Sequence, residues 1–187
     1  MLLDVAKDST TAGYSTRLTP DEVDCANDIG GRRAQRAKEN GWKDVGGFSV
    51  VGRHEQGARC EMATAKMLEV PWNMDINLFS KGGEVGPYEV RHATKADHLA
   101  FREKDRWKTC DTPYIACRES GSYPDYQYEL IGWMTPKEAM ANADWYVAAP
   151  TNGGKPYWSV PRRALRAMDD LPAPREVLLT IMDGRDG

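Results

Sequence analysis

Glu61, Glu84, Glu89 and Arg91 are the residues whose types and spacing point to chemistry in this chain. Glu61 stands upstream, and the other three fall within Gly83-Glu84-Val85-Gly86-Pro87-Tyr88-Glu89-Val90-Arg91. In an extended backbone, residues two apart share a face, so Glu89 and Arg91 project together and Tyr88, Val90 and His92 project the other way. Glu84 stands just upstream in a glycine-flanked bend that can swing it toward Glu89. Two carboxylates brought together repel unless a divalent cation lies between them. Oxygen-rich acidic sites suit Mg²⁺ or Mn²⁺. Such an ion activates water and neutralises charge on a phosphate undergoing in-line displacement. An arginine beside it grips phosphate through two parallel hydrogen bonds.

These side chains need a helix, a bend and a strand to hold them. Thr19-Pro20-Asp21-Glu22 predicts a helix start with a capping box, and Asn40-Gly41 predicts its stop. Val23, Ala26, Ile29, Gly30, Ala34 and Ala37 form its inner face, and residues this small predict close packing on a neighbour. A brief strand is expected at 48–51 and a second helix over 54–68, ended by Pro71. The inner stripe of that helix is Ala58, Met62, Ala65 and Leu68, and Glu61 falls within it. A carboxylate on an inner face is bound to metal, solvated by a cleft, or paired, for instance with an arginine of the first helix. Strands follow at 87–92, 98–102, 113–119 and 126–134. Thr135-Pro136-Lys137-Glu138 repeats the capping box and opens a short helix to about Ala143. Beyond it, a loop is expected at 150–156, an extended piece at 157–160 and a helix at 161–168. The expected organisation is one α/β domain over 1–170 with a C-terminal tail, 171–187.

Composition narrows the function classes. At 41% hydrophobic and 28% charged, the chain has the balance of a soluble globular domain, and its apolar runs are too short to span a membrane. Asp4 and Asp8 interrupt the N-terminus where a signal peptide needs a clean apolar stretch, so the expected location is the cytoplasm. The net charge of −3 argues against a protein that coats nucleic acid without selectivity, although local basic stretches exist at Arg32–Lys38, Arg102–Lys108 and Arg162–Arg166. Cys25, Cys60, Cys110 and Cys117 lack paired zinc-ligand spacing and read as reduced thiols. Tyr157 and Trp158, ahead of Arg162 and Arg163, are candidate contacts to a partner.

The acidic helix residue, the acidic bend and the E-x-basic strand resemble the PD-(D/E)XK nuclease superfamily. More narrowly, Glu84-Val-Gly-Pro-Tyr-Glu-Val-Arg91 with the later Leu130-Ile-Gly-Trp133 is similar to small PD-(D/E)XK-like proteins of phage and metagenomic origin. The similarity covers roughly 57–133, with a weaker echo at 157–165. It implies a restriction-endonuclease-like α-β-β-β-α-β core, a mixed sheet of about four strands flanked by helices. It also implies DNA as partner, Mg²⁺ or Mn²⁺ as cofactor, and phosphodiester hydrolysis in the cytoplasm, the host's for a phage-encoded member. By this resemblance Glu61, Glu84 and Glu89 are metal ligands, and Arg91 holds the place of the usual lysine. Glu84 stands where aspartate is usual, and an arginine stays protonated and cannot serve as a base. Lys81 and Lys95 are the nearby amines. The same departures define a second expectation, a nuclease-fold protein without catalysis that binds nucleic acid or a protein partner as a phage accessory or anti-defence factor.

Overall fold

The computed structural model describes residues 14–41, 50–76, 83–93, 96–149 and 155–183. In chain order the elements are β1 (Ser15–Arg17), α1 (Pro20–Glu39), α2 (Val50–Leu68), β2 (Glu89–His92), β3 (Leu99–Arg102) and α3 (Glu103–Thr109). They continue with β4 (Tyr114–Ser120), β5 (Gln127–Met134), α4 (Pro136–Ala141), β6 (Tyr146–Val147), β7 (Tyr157–Val160) and α5 (Pro174–Asp183). The fold is α/β.

Its centre is a mixed four-stranded sheet in the order β1-β5-β4-β2. The pairs β1–β5 and β5–β4 are antiparallel, and β4–β2 is parallel with Glu89 opposite Tyr114. A second antiparallel sheet, β3-β7-β6, forms a separate layer. Alternation along β4 divides the core. Ile115 and Cys117 join the apolar cluster that includes Cys60, Ala63 and Ala65 of α2, whereas Tyr114 and Ala116 join Phe101, Trp158, Val160 and Met140 on the other side. The main sheet therefore lies between helices on one face and the small sheet with α4 on the other.

Where β4 meets β5, Ala116 opposes Gly132 and Cys117 opposes Leu130, leaving Ile131 as the extra residue of a bulge. Gly132 takes φ +140°, open to glycine and rarely to other residues, and a Cβ there would lie 2.7 Å from the Arg166 carbonyl. The bulge sends Ile131 to the small-sheet core and Trp133 to the helix-side core.

Helix starts follow the sequence closely. Thr19 accepts a hydrogen bond from the Glu22 N–H at 3.2 Å, while Glu22 accepts one from the Thr19 N–H at 2.7 Å. Thr135 and Glu138 repeat the arrangement at 3.2 and 3.1 Å. Other expectations need correction. The second helix begins at Val50, so the 50–51 part of the expected strand is helical; residues 48 and 49 lie outside the described residues, as do most of the 150–156 loop, Lys81 and Lys95. The helix expected at 161–168 is instead two 3-10 turns, Arg162–Ala164 and Met168–Asp170. Between them the chain is extended and Arg166 exchanges backbone hydrogen bonds with Trp133 at 3.0 and 3.1 Å, which an α-helix would forbid. Trp158 is buried in the small-sheet core, against Tyr146 at 5.2 Å, and is no surface platform. The tail forms α5, which docks through buried Val177 on the helix-side core. Among the described residues, no helix is long and apolar enough to cross a membrane.

Candidate functional site

Helix α1 carries an arginine on a face otherwise made of small and apolar residues. Arg33 is buried there, and so is Glu61 on the facing side of α2. Arg33 Nη1 donates to both Glu61 carboxylate oxygens, at 2.6 and 2.8 Å. Trp72 Nε1 donates to Glu61 Oε2 at 2.9 Å. Glu61 is thus the inward-facing acid that the helical spacing indicates, and its immediate partners are a guanidinium and an indole. Glu61 pushes the Arg33 pKa up, outweighing the opposing effect of burial.

Glu84 belongs to a tight turn. Val85 and Tyr88 exchange backbone hydrogen bonds at 3.0 and 3.1 Å, the Glu84 carbonyl accepts from Asn73 N–H at 2.9 Å, and Gly86 N–H donates to the Pro71 carbonyl at 2.9 Å. This folds the turn onto the segment leaving α2. The Glu84 side chain reaches forward to β2, where Oε2 accepts from Val90 N–H at 3.2 Å. Burial, followed by the negative charges of Glu61 and Glu89, pushes the Glu84 pKa up to about 8, against the lowering effects of the Val90 N–H and Arg33. Glu84 is thus a buried carboxyl that feels the charges of both Glu61 and Glu89. A carboxyl in such surroundings holds a proton or needs a cation.

A pH dependence follows. A carboxyl whose folded pKa lies near 8, against 4.5 for an unperturbed glutamate, binds a proton in the folded chain that the unfolded chain has released. Its contribution to stability is complete below the lower value and is lost as pH rises through the upper one. Glu84→Gln abolishes that slope. In thermal melts between ~pH 5 and ~pH 9, wild-type Tm should fall more steeply than that of the variant. Parallel curves would contradict this electrostatic picture.

Arg91 is held elsewhere. Its Nη1 donates to the Ala100 carbonyl at 2.9 Å and its Nη2 to Asp105 Oδ1 at 2.8 Å, with the guanidinium 4.8 Å from the Tyr114 ring centre. Buried Asp105 also caps α3 by accepting from Arg102 N–H at 2.7 Å. The strand alternation holds, since Val90 enters the helix-side core and Arg91 reaches the small-sheet layer. However, Arg91 is tied to Asp105 and not to the three glutamates. Helical spacing marks Glu61 as inward-facing but does not single out Arg33 as its partner, and Asp105 has no local signal because the start of α3 carries no recognisable capping motif.

The basic stretches are extensively matched by acids. Arg32 faces Asp28 at 3.7 Å, Arg36 faces Glu39 at 3.5 Å and Arg106 faces Glu103 at 3.6 Å. Arg162 bonds Glu129 at 2.8 Å within a network that also holds Arg118 and Asp97. Arg166 lies over Trp133 and 3.5 Å from Glu138.

Among the described residues, no group of three or more His, Cys, Asp or Glu side chains is arranged to hold a metal ion. Both Glu61 carboxylate oxygens accept hydrogen bonds, from Arg33 and Trp72. Comparison with protein-family models, with curated proteins and with solved structures finds no match to the chain.

Proposed function

We propose that the chain is a divalent-cation-dependent nuclease with a restriction-endonuclease-like core, hydrolysing DNA phosphodiester bonds in the cytoplasm. The observation that carries this reading is the buried Glu84, whose pKa is pushed up to about 8 by burial first and then by the negative charges of Glu61 and Glu89. A divalent ion bound there would supply the positive charge that lets the Glu84 carboxyl ionise. Glu84 and Glu89 would hold the ion, which when bound supplies Lewis acidity toward phosphate and a more acidic water. Glu61 is held in place by Arg33 and Trp72 beside the segment that carries Glu84. Arg91 serves this site by anchoring β2 to Asp105 and Ala100, which holds Glu89 in register.

The test uses purified protein with plasmid, linear duplex and single-stranded DNA in Mg²⁺ or Mn²⁺. Cleavage should appear in the wild type and fall at least about 100-fold in Glu89→Ala, the scale of losing an electrostatic catalytic group. Equal cleavage by the two proteins would refute the mechanism.

A second reading is favoured by one feature, the commitment of Arg33 to Glu61 and Arg91 to Asp105, which occupies both site cations. Under it the chain binds nucleic acid or a protein partner without cutting. Salt-dependent DNA binding with no cleavage in either metal selects this reading.

A further inference from the structure

Trp158 and Val160 of β7 enter the small-sheet core, as do Leu99 and Phe101 of β3. Side chains alternate along a strand, so Ser159 and its cross-strand neighbour Ala100 project from the opposite, outer face. His98 stands one residue before β3 and brings its ring to that face, where Nδ1 lies 2.8 Å from Ser159 Oγ. With the ring proton on Nε2, Nδ1 accepts from the Ser159 hydroxyl. Both residues are partly exposed. The strands hold the pair in place from beneath, because Leu99 is paired with Val160 and both are fully buried. On the other side of His98, Asp97 takes φ +57° and accepts from Arg118 Nη1 at 2.8 Å, with Arg162 Nη1 3.6 Å away. Those contacts pin the residue that precedes the imidazole.

We propose that Ser159 and His98 form a nucleophile–base pair that cleaves carboxylic esters on the outer face of the small sheet. A serine hydroxyl is a weak nucleophile until an adjacent base takes its proton, and a hydroxyl already within hydrogen-bond reach of an imidazole meets that requirement. In the first step Ser159 Oγ bonds to the carbonyl carbon of the ester while its proton passes to His98 Nδ1. The bond from that carbon to the alcohol oxygen breaks, and the alcohol leaves with the proton from His98. Water then attacks the acyl carbon and gives a proton to Nδ1. The bond to Ser159 Oγ breaks, the acid departs, and the proton returns to the serine oxygen. Glu61 and Glu84 take no part, since they lie on the helix side of the main sheet and this pair lies beyond its other face.

The experiment follows hydrolysis of p-nitrophenyl acetate by the full chain without added metal, comparing wild type, Ser159→Ala and His98→Gln. A fluorophosphonate is then reacted with wild type, and its adduct is located by peptide mass mapping. That reagent loses fluoride as the serine oxygen bonds to phosphorus, so it marks the nucleophile. The expected result is nitrophenolate release by wild type, at least about 100-fold slower release in each variant, the scale of losing a general base, and an adduct on Ser159. Melting curves identify which variants are folded, and the wild-type adduct decides alone if neither is. No release above buffer, wild-type rate in a folded variant, or no adduct on Ser159 overturns the proposal. Because no divalent cation is present, each of these results bears on this pair and leaves the nuclease reading untouched.

Discussion

Arg59→Met is expected to destabilise the protein by about 3–5 kcal/mol, the cost of stranding one member of a buried ion pair. Arg59 and Glu119 are both buried at their side chains, 8% and 5% exposed, so neither charge is stabilised by water. Arg59 Nε donates to Glu119 Oε2 at 2.7 Å and Nη2 to Oε1 at 2.9 Å, forming the two-pronged contact that makes such a pair strong. The same guanidinium donates to Asn27 on α1 at 2.6 Å and lies 4.5 Å from the centre of the Tyr126 ring. It thus joins both helices to the β4–β5 hairpin. Methionine fills much of the volume but leaves Glu119 desolvated, with Gln56 as its remaining hydrogen-bond donor at 3.1 Å. Adding Glu119→Leu should recover a large part of the loss, because the stranded charge then disappears. Urea unfolding of the single and double variants measures both effects. A loss below about 1 kcal/mol for Arg59→Met would mean that the pair behaves as a solvated surface contact.

Gly30→Ala carries the second large effect. A Cβ at this position would lie 2.4 Å from the Glu55 Cα, 2.5 Å from the Glu55 nitrogen and 2.7 Å from the His54 carbonyl. All three are backbone atoms, so α1 and α2 must move apart to admit one methyl group. Overpacking of this kind costs about 1–3 kcal/mol. It outweighs the gain in helix propensity of about 1 kcal/mol that alanine brings. Gly31 is the internal control, since a Cβ there meets nothing within 4 Å. Gly31→Ala should therefore stabilise by up to about 1 kcal/mol, and opposite signs for adjacent glycines distinguish helix contact from propensity. Because Arg33 lies one turn beyond Gly30, separation of the helices should also weaken the Arg33–Glu61 pair. Chemical denaturation of the two variants provides the comparison.

These residues show what can be read from local pattern and what cannot. Thr19 and Thr135 announce helix starts because a capping box is complete within four residues. Small residues from Ala26 to Ala37 announce close packing, and Gly30 delivers it against Glu55. Glu61 is legible as an inward acid from helical spacing alone. Its partner was one of several arginines until α1 and α2 were laid together, since 28 residues separate Arg33 from Glu61. Arg91 shows the converse. Its strand face follows from alternation, but its tie to Asp105 depends on α3, whose start carries no recognisable cap in the sequence. The parallel pairing of β2 with β4 and the separate β3-β7-β6 sheet arise from long-range contacts that no local motif specifies. At 161–168, helical composition loses to the backbone bonds between Arg166 and Trp133.

The most direct measurement for the cation site is anomalous diffraction from a crystal soaked in Mn²⁺. The account predicts one peak within coordination distance of the Glu84 and Glu89 carboxylates, with Glu61 still held by Arg33. A well-ordered pocket with no peak there, or a peak that draws Glu61 away from Arg33 as a ligand, would contradict it.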